Sequence, residues 1–209
     1  MAFAYRAGRL NSFPMIPAFL LVFLAIAYRI ATGLLIHSGS SWLSNFAPLA
    51  AIALCCGAYF PSKFKFTVPL IGLFVSDVIL NSYYNAPLFT PLMACRYLTL
   101  AAIGWIGLSI QKRVSLKTLL PASLVASTIF YFVTCIFAWL SDPGYPKNLP
   151  GLLQSLTVGL PQYGSTPSWM FFRNSLLSDL GFTLLFALCV NFGRNVERDR
   201  ARSVISGTT

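Results

Sequence analysis

Pro17-Ala-Phe-Leu-Leu-Val-Phe-Leu-Ala-Ile-Ala-Tyr-Arg29-Ile-Ala-Thr-Gly-Leu-Leu-Ile36 is an almost unbroken apolar run in which Arg29 is the single charge. At about 1.5 Å per residue, a helix of this length covers ~30 Å, the thickness of a bilayer's hydrocarbon core. Arg6 and Arg9 precede the run, as in a secretory signal. It is too long for a cleaved apolar region, however, and Arg29 interrupts it, so it reads as an uncleaved first span. Five further apolar stretches follow, at Phe46 to Phe60, Thr67 to Tyr84, Pro91 to Ile110, Thr118 to Leu140 and Phe172 to Phe192. The second is short, since fifteen residues rise only ~22 Å.

Composition agrees. The chain is 56% hydrophobic and 10% charged, with a mean hydropathy of +0.71, far from the soluble balance of about half apolar and a quarter charged. Its 15 basic residues against 5 acidic ones would suggest nucleic acid in a soluble protein. Here they sit in short runs between apolar segments, which is the pattern of topology signals, and no nucleic-acid partner is expected. With the N-terminus inside, Arg6, Arg9, Lys63, Lys65, Lys112, Arg113, Lys117, Arg194, Arg198, Arg200 and Arg202 are all cytoplasmic, and only Lys147 falls in an outer loop. The expectation is an all-α integral membrane protein of six transmembrane helices, both termini inside, with a long outer loop before the last helix. Residues 1–193 form one transmembrane domain, and 194–209 a basic polar cytoplasmic tail that frays into solvent.

The outer connection from Ser141 to Phe171 opens with Asp142-Pro-Gly-Tyr-Pro-Lys-Asn-Leu-Pro-Gly151 and continues into an apolar stretch, Leu152 to Leu160, too short to span. It reads as a structured lid or an interfacial helix. The five cysteines (Cys55, Cys56, Cys95, Cys135, Cys189) all lie in apolar stretches and read as packing residues without a disulfide framework.

Ionisable residues at membrane depth are costly and mark polar interiors or cavities. Arg29, Asp77, Arg96, Arg173 and Asp179 qualify. One reading is a polar site opening outward; the other is two internal ion pairs, Asp77 with Arg96 and Asp179 with Arg29, leaving Arg173 at the headgroups. Spans two, four and six all start outside, with start signals at Asn45-Phe-Ala-Pro48, Thr90-Pro91 and Thr166-Pro-Ser168. Their positive ends would favour an anionic group such as a carboxylate or phosphate. Trp42, Phe46, Tyr83, Tyr84, Trp139, Tyr145, Tyr163 and Trp169 cluster at the same level, as a membrane belt or as stacking walls for a flat ligand. Asn81 and Asn85 could add hydrogen bonds, while His37 reads as a solvated loop residue. No H-E-x-x-H, G-x-S-x-G, P-loop or CxxC motif is present. The sequence therefore predicts a protein that is not an enzyme and uses no cofactor.

Several of these stretches recur together elsewhere. Asn45-Phe-Ala-Pro-Leu-Ala-Ala-Ile-Ala-Leu-Cys-Cys-Gly-Ala-Tyr-Phe60, Val68-Pro-Leu with Ser76-Asp77-Val-Ile-Leu80, Phe130-Tyr-Phe-Val-Thr134 running to Trp139, Gly144-Tyr-Pro146 with Pro150-Gly-Leu152, and Ser178-Asp179-Leu-Gly-Phe182 resemble a family of small, uncharacterised bacterial inner-membrane proteins. That family is in turn similar to the S components of energy-coupling factor transporters, the substrate-binding subunits for vitamins and other micronutrients. The resemblance implies six helices with both ends inside, and a substrate site near the outer face built from the loops after spans one, three and five. It also implies partners: one transmembrane coupling protein and two ATPases, docking partly on small residues of span one such as those of Ala27-Tyr-Arg-Ile-Ala31. Thr134-Cys135-Ile136 stands where a Thr-Asn-Phe run is expected, and Leu160-Pro-Gln-Tyr163 where a Pro-Phe-Phe pattern is. On this reading Asp77, Asn81, Arg96, Arg173 and Asp179 hold a small-molecule ligand, with Trp139 and Trp169 as walls.

Overall fold

The computed structural model describes residues 15–37, 46–163 and 166–206. Arg6, Arg9, Trp42 and Asn45 lie outside the described residues, as do the side chains of His37 and Tyr163. The described residues form helices α1 (Met15–His37), α2 (Leu49–Tyr59), α3 (Thr67–Tyr84), α4 (Pro91–Ile110), α5 (Leu116–Ser141), α6 (Leu149–Thr157) and α7 (Ser168–Ser206), with single 3-10 turns at Gln111–Arg113 and Pro161–Tyr163. Five of them, α1, α3, α4, α5 and α7, are long and apolar enough to cross a membrane. Local chemistry sets several of their ends. Thr90 Oγ1 accepts the Met93 N–H at 3.1 Å while Pro91 occupies the first helical position of α4, where a missing N–H costs nothing. Ser115 N–H donates to Thr118 Oγ1 at 3.0 Å where α5 starts. Asn85, at φ 53°, closes α3 in the left-handed region that asparagine tolerates.

From α1 to α5 consecutive helices run in opposite directions, and α7 returns antiparallel to α5. Phe19 near the start of α1 stacks with Phe60 and Phe64 at ring distances of 4.8 and 5.6 Å, whereas Tyr28 further along meets Phe46 at 6.3 Å. Tyr84 at the end of α3 donates to the Gly33 carbonyl at the end of α1. Lys65, buried before α3, donates to Gln111 Oε1 at 2.6 Å at the end of α4. Burial there draws the Lys65 ammonium below the usual lysine range. The loops carrying Lys63, Lys65, Lys112 and Arg113 therefore share one end of the bundle, the basic end, and the 85–90 and 141–168 connections share the other.

The short second stretch is shorter still as a helix, and sunk among the others. Only Leu49–Tyr59 is helical, a rise of ~16 Å, and Phe46-Ala-Pro48 enters it without helical structure. Leu49 through Ala58 are all buried, as befits a helix that is apolar all round. Around it stand α3, α4, α5 and α7, with Ala18, Val22 and Ala25 of α1 packed on Ile52, Cys55 and Cys56, so α2 is the core of the protein rather than part of its lipid-facing wall. Its contact with α4 is backbone against backbone: a Cβ on Gly57 would lie 2.2 Å from the Gly104 oxygen, and one on Gly107 2.2 Å from the Leu54 oxygen. Small residues at such crossings are the usual means of close approach in membranes. Leu54, Leu100 and Ile103 fill one side of α2, and Val22, Phe60, Phe186 and Val190 the other.

The C-terminal segment also differs from expectation. Instead of fraying after residue 193, α7 continues as helix to Ser206. Alanine, glutamate and arginine favour helix, and Glu197 and Asp199 precede Arg200 and Arg202 by three residues, a supporting spacing.

The glycine contacts predict opposite outcomes for one kind of substitution. Gly57→Ala and Gly107→Ala should each lower stability by about 1–3 kcal/mol by forcing α2 and α4 apart. Gly181→Ala, whose Cβ would meet nothing within 4 Å, should be neutral or stabilising by up to about 1 kcal/mol. Thermal unfolding in detergent compares the three.

Candidate functional site

Four of the five expected intramembrane charges fall into three separate places. Asp179, fully buried on α7, faces the N-terminus of α2. Its Oδ1 accepts the Ala51 N–H at 2.9 Å. Its Oδ2 accepts the Ser127 hydroxyl at 2.7 Å and the Ser175 hydroxyl at 3.3 Å. The first N–H groups of a helix have no partner within it, and Pro48 provides no side-chain cap; a carboxylate from another helix does so instead. One turn further along α7, Thr183 donates to Ser123 on α5 at 3.0 Å.

The second place joins α1, α3 and α4. Arg29 Nη2 lies 2.6 Å from Asp77 Oδ1, with the two side chains only 11% and 6% exposed. Arg29 also donates to Ser76 Oγ, and Tyr97 O–H donates to Asp77 Oδ2 at 2.9 Å. These contacts replace the two ion pairs of the second reading of the sequence. Asp77 pairs with Arg29 rather than with Arg96, and Asp179 pairs with no cation among the described residues, taking hydrogen bonds from neutral groups. Depth explains the exchange, because Arg29 and Asp77 lie at matching heights on the neighbouring parallel helices α1 and α3.

Arg96 is the third. It lies on the α4 face that carries Met93, Leu100 and Ile103, all buried, at the three- and four-residue spacing that lines up one helix face. Its Nε is buried and, among the described residues, is the one buried side-chain nitrogen or oxygen without a hydrogen-bond partner. A guanidinium carries five donors in a fixed fork suited to carboxylate and phosphate.

The other expected residues spread along the end opposite the basic one. Asn81, a turn beyond Asp77, makes a long 3.5 Å contact to the Pro87 carbonyl. Trp139 Nε1 donates to the Pro146 carbonyl at 2.8 Å, and Lys147 Nζ donates to the Trp139 and Asp142 carbonyls. These bonds brace the turn that leads into α6. Asn148 Oδ1 caps α6 through the Gly151 N–H at 2.9 Å, and α6 packs on α5 and α7. Tyr131 of α5 donates to the Leu156 carbonyl at the end of α6. Trp169, half-exposed, has the Arg173 guanidinium 5.6 Å above its ring, and Arg173 donates to Asn174 Oδ1 at 3.1 and 3.2 Å. The five cysteines are free.

Sequence reasoning missed Ser76, Tyr97, Ser127 and Ser175. A signal existed for two of them: Ser123 and Ser127 on α5, and Ser175 and Asp179 on α7, are four-residue pairs that place hydroxyls on one helix face.

Five long apolar helices arranged around a short buried one, with the Asp77 and Asp179 carboxylates satisfied inside, define a multi-pass helical membrane protein. Within that class the chain belongs to the family described as a family of unknown function, DUF6580, whose model matches residues 10–198. No curated protein matches the chain, and no solved structure does.

The two charged clusters give distinct expectations. Arg29→Ala should cost about 3–5 kcal/mol, because it strands the Asp77 carboxylate, and adding Asp77→Ala should cost clearly less than the sum of the single changes. Asp179→Ala should destabilise comparably with no second-site cation to relieve it; Asp179→Asn, which retains an acceptor oxygen for the Ala51 N–H, should be milder. Unfolding of the single and double variants in one detergent checks both.

Proposed function

We propose that this chain is the substrate-capture subunit of an importer of the energy-coupling factor type in a bacterial inner membrane, taking a small anionic ligand at the end opposite the basic one. The observation that carries the reading is Arg96, whose buried Nε has no protein partner on an inward helix face. A buried N–H left this way is costly unless something completes it, and an anion entering from that end would do so. At the same end of the bundle, α6 and its braced turn form a cover of the kind a capture subunit needs. The resemblance described above supplies the wider assembly: a transmembrane coupling protein and ATPase subunits.

In this reading the chain crosses six times, with α2 as a short, sheltered crossing and both termini in the cytoplasm. Support comes from the shared position of the basic loops, since lysine and arginine in short loops remain cytoplasmic. Residues 1–193 make up the transmembrane domain and 194–209 a cytoplasmic extension. Asn81, Trp139, Trp169 and Arg173 flank the entrance. Asp77 and Asp179 have roles in the frame instead, their oxygens being taken by Arg29 and Tyr97, and by α2 and two serines.

That same use of both carboxylates favours one competing reading, a structural or assembly subunit of a larger membrane complex that binds no ligand. Mass spectrometry of small molecules released from protein purified in mild detergent separates the two. The capture reading expects one anionic compound retained by the wild type and weakened about 10- to 100-fold by Arg96→Ala, as for a lost charge-assisted hydrogen bond. Absence of any compound, with partners copurifying in fixed ratio but no ATPase among them, would establish the alternative. The orientation is tested separately: in intact cells an impermeant thiol reagent should label Lys147→Cys, and label Lys63→Cys only after permeabilisation.

A further inference from the structure

Lys65 is only 4% exposed, and among the described residues its ammonium has one hydrogen-bond partner, the neutral Gln111 Oε1 at 2.6 Å. A buried cation is ordinarily held by a counter-charge, yet the ion pair found among the described residues, Arg29 with Asp77, lies elsewhere. The backbone around Lys65 is pinned. Thr67 Oγ1 donates to the Lys63 carbonyl and Thr118 Oγ1 to the Arg113 carbonyl, each at 3.0 Å. Phe66 covers Gly104 of α4, with a ring carbon 2.8 Å from where a Cβ would lie. The Lys65–Gln111 bond therefore clamps the loop before α3 to the turn after α4. Lys63, Lys112 and Arg113, all exposed, stand within two residues of this junction, and none of them has an ion pair among the described residues.

We propose that this junction binds the phosphate headgroup of one anionic phospholipid from the leaflet at the basic end. The cations there are complementary to a phosphate: the arginine fork takes two of its oxygens, the exposed lysines add point charges, and the buried Lys65 gains the counter-charge it lacks. The surroundings favour a lipid over a soluble anion or an acidic protein. Phe64, in the same loop, is 42% exposed, and Trp105 and Leu108, on the last two turns of α4, are 70% and 37% exposed. Trp105 comes six residues before Gln111, a helical rise of ~9 Å, so an apolar flank with a tryptophan at headgroup depth lies directly below the cations. A phosphate held at the junction leaves its acyl chains against that flank. Basic clusters beside helix ends attract anionic lipids in this way, and here the clamp fixes the cluster before a lipid arrives. The inference depends on the protein lying in a bilayer and is independent of the importer reading.

Native mass spectrometry of the full chain in mild detergent, titrated with phosphatidylglycerol or with phosphatidylcholine of the same acyl chains, tests it. The wild type should bind one phosphatidylglycerol in preference to phosphatidylcholine. Lys112→Ala combined with Arg113→Ala should lower that affinity about 10- to 30-fold, and Lys65→Met about fivefold. The double variant changes only exposed side chains and serves if Lys65→Met does not fold. Arg198→Ala, which removes a charge further along α7 at the same end, and Lys147→Ala at the opposite end should each change the affinity by less than about twofold. Equal binding of the two lipids, a preference unchanged in the double variant or in folded Lys65→Met, or a loss from Arg198→Ala as large as that from the double variant would each overturn the inference.

Discussion

The hydrogen bond from the N-terminus of α2 to Asp179 is the constraint that the rest of the architecture serves. A helix of ~16 Å in a core of ~30 Å has to end inside the membrane, and the polar backbone freed at that end has no water to turn to. Irregular backbone at such depth persists only where protein surrounds it. Here Asp179 accepts from the helix, Ser127 and Ser175 hold the second oxygen, and the positive end of α2 stabilises the negative charge in return. Three helices are joined at one carboxylate, and the glycine crossing at Gly57, Gly104 and Gly107 attaches α4 to the same centre.

The two interior aspartates are stabilised by different physics. Asp77 has a full counter-charge in Arg29 and a phenol in Tyr97, whereas Asp179 relies on backbone dipoles and hydroxyls. Neither is left with an obvious vacancy. The helix end that could have received an anion from outside is also taken, by the protein's own carboxylate. The buried donor left without a partner, among the described residues, is Arg96 Nε, and α4 is joined to the α1–α3 pair by the Tyr97–Asp77 hydrogen bond.

The five long helices were legible because apolar length alone dictates them, and Thr90-Pro91 marked the start of α4 correctly. The shortness of the second stretch was visible as well, but its burial on every side was not, since no periodicity distinguishes a helix surrounded by protein from one facing lipid. The charged residues themselves were found, yet their partners were exchanged. Pairing depends on the rotation and relative height of helices, which differences of a residue or two decide, as Arg29 against Asp77 illustrates. Asp179 was harder still: its partner is a backbone amide, which leaves no trace in composition. The persistence of α7 to Ser206 was obscured because charge was read as a sign of solvent, although those residues also favour helix.

The burial of α2 has a consequence for biosynthesis. Ala51 leaves the ribosome 128 residues before the aspartate that accepts its N–H, and at roughly 5–20 residues per second that separation lasts about 6–25 s. Throughout that interval α2 is too short to stand alone across the lipid, and the helices that will enclose it are incomplete. It has to wait beside the translocation machinery, or half-inserted against α1, until α7 arrives. Truncated nascent chains that stop before Asp179 would then hold this segment in a different place from the finished protein, and assembly of the core would be among the last events of synthesis instead of the first.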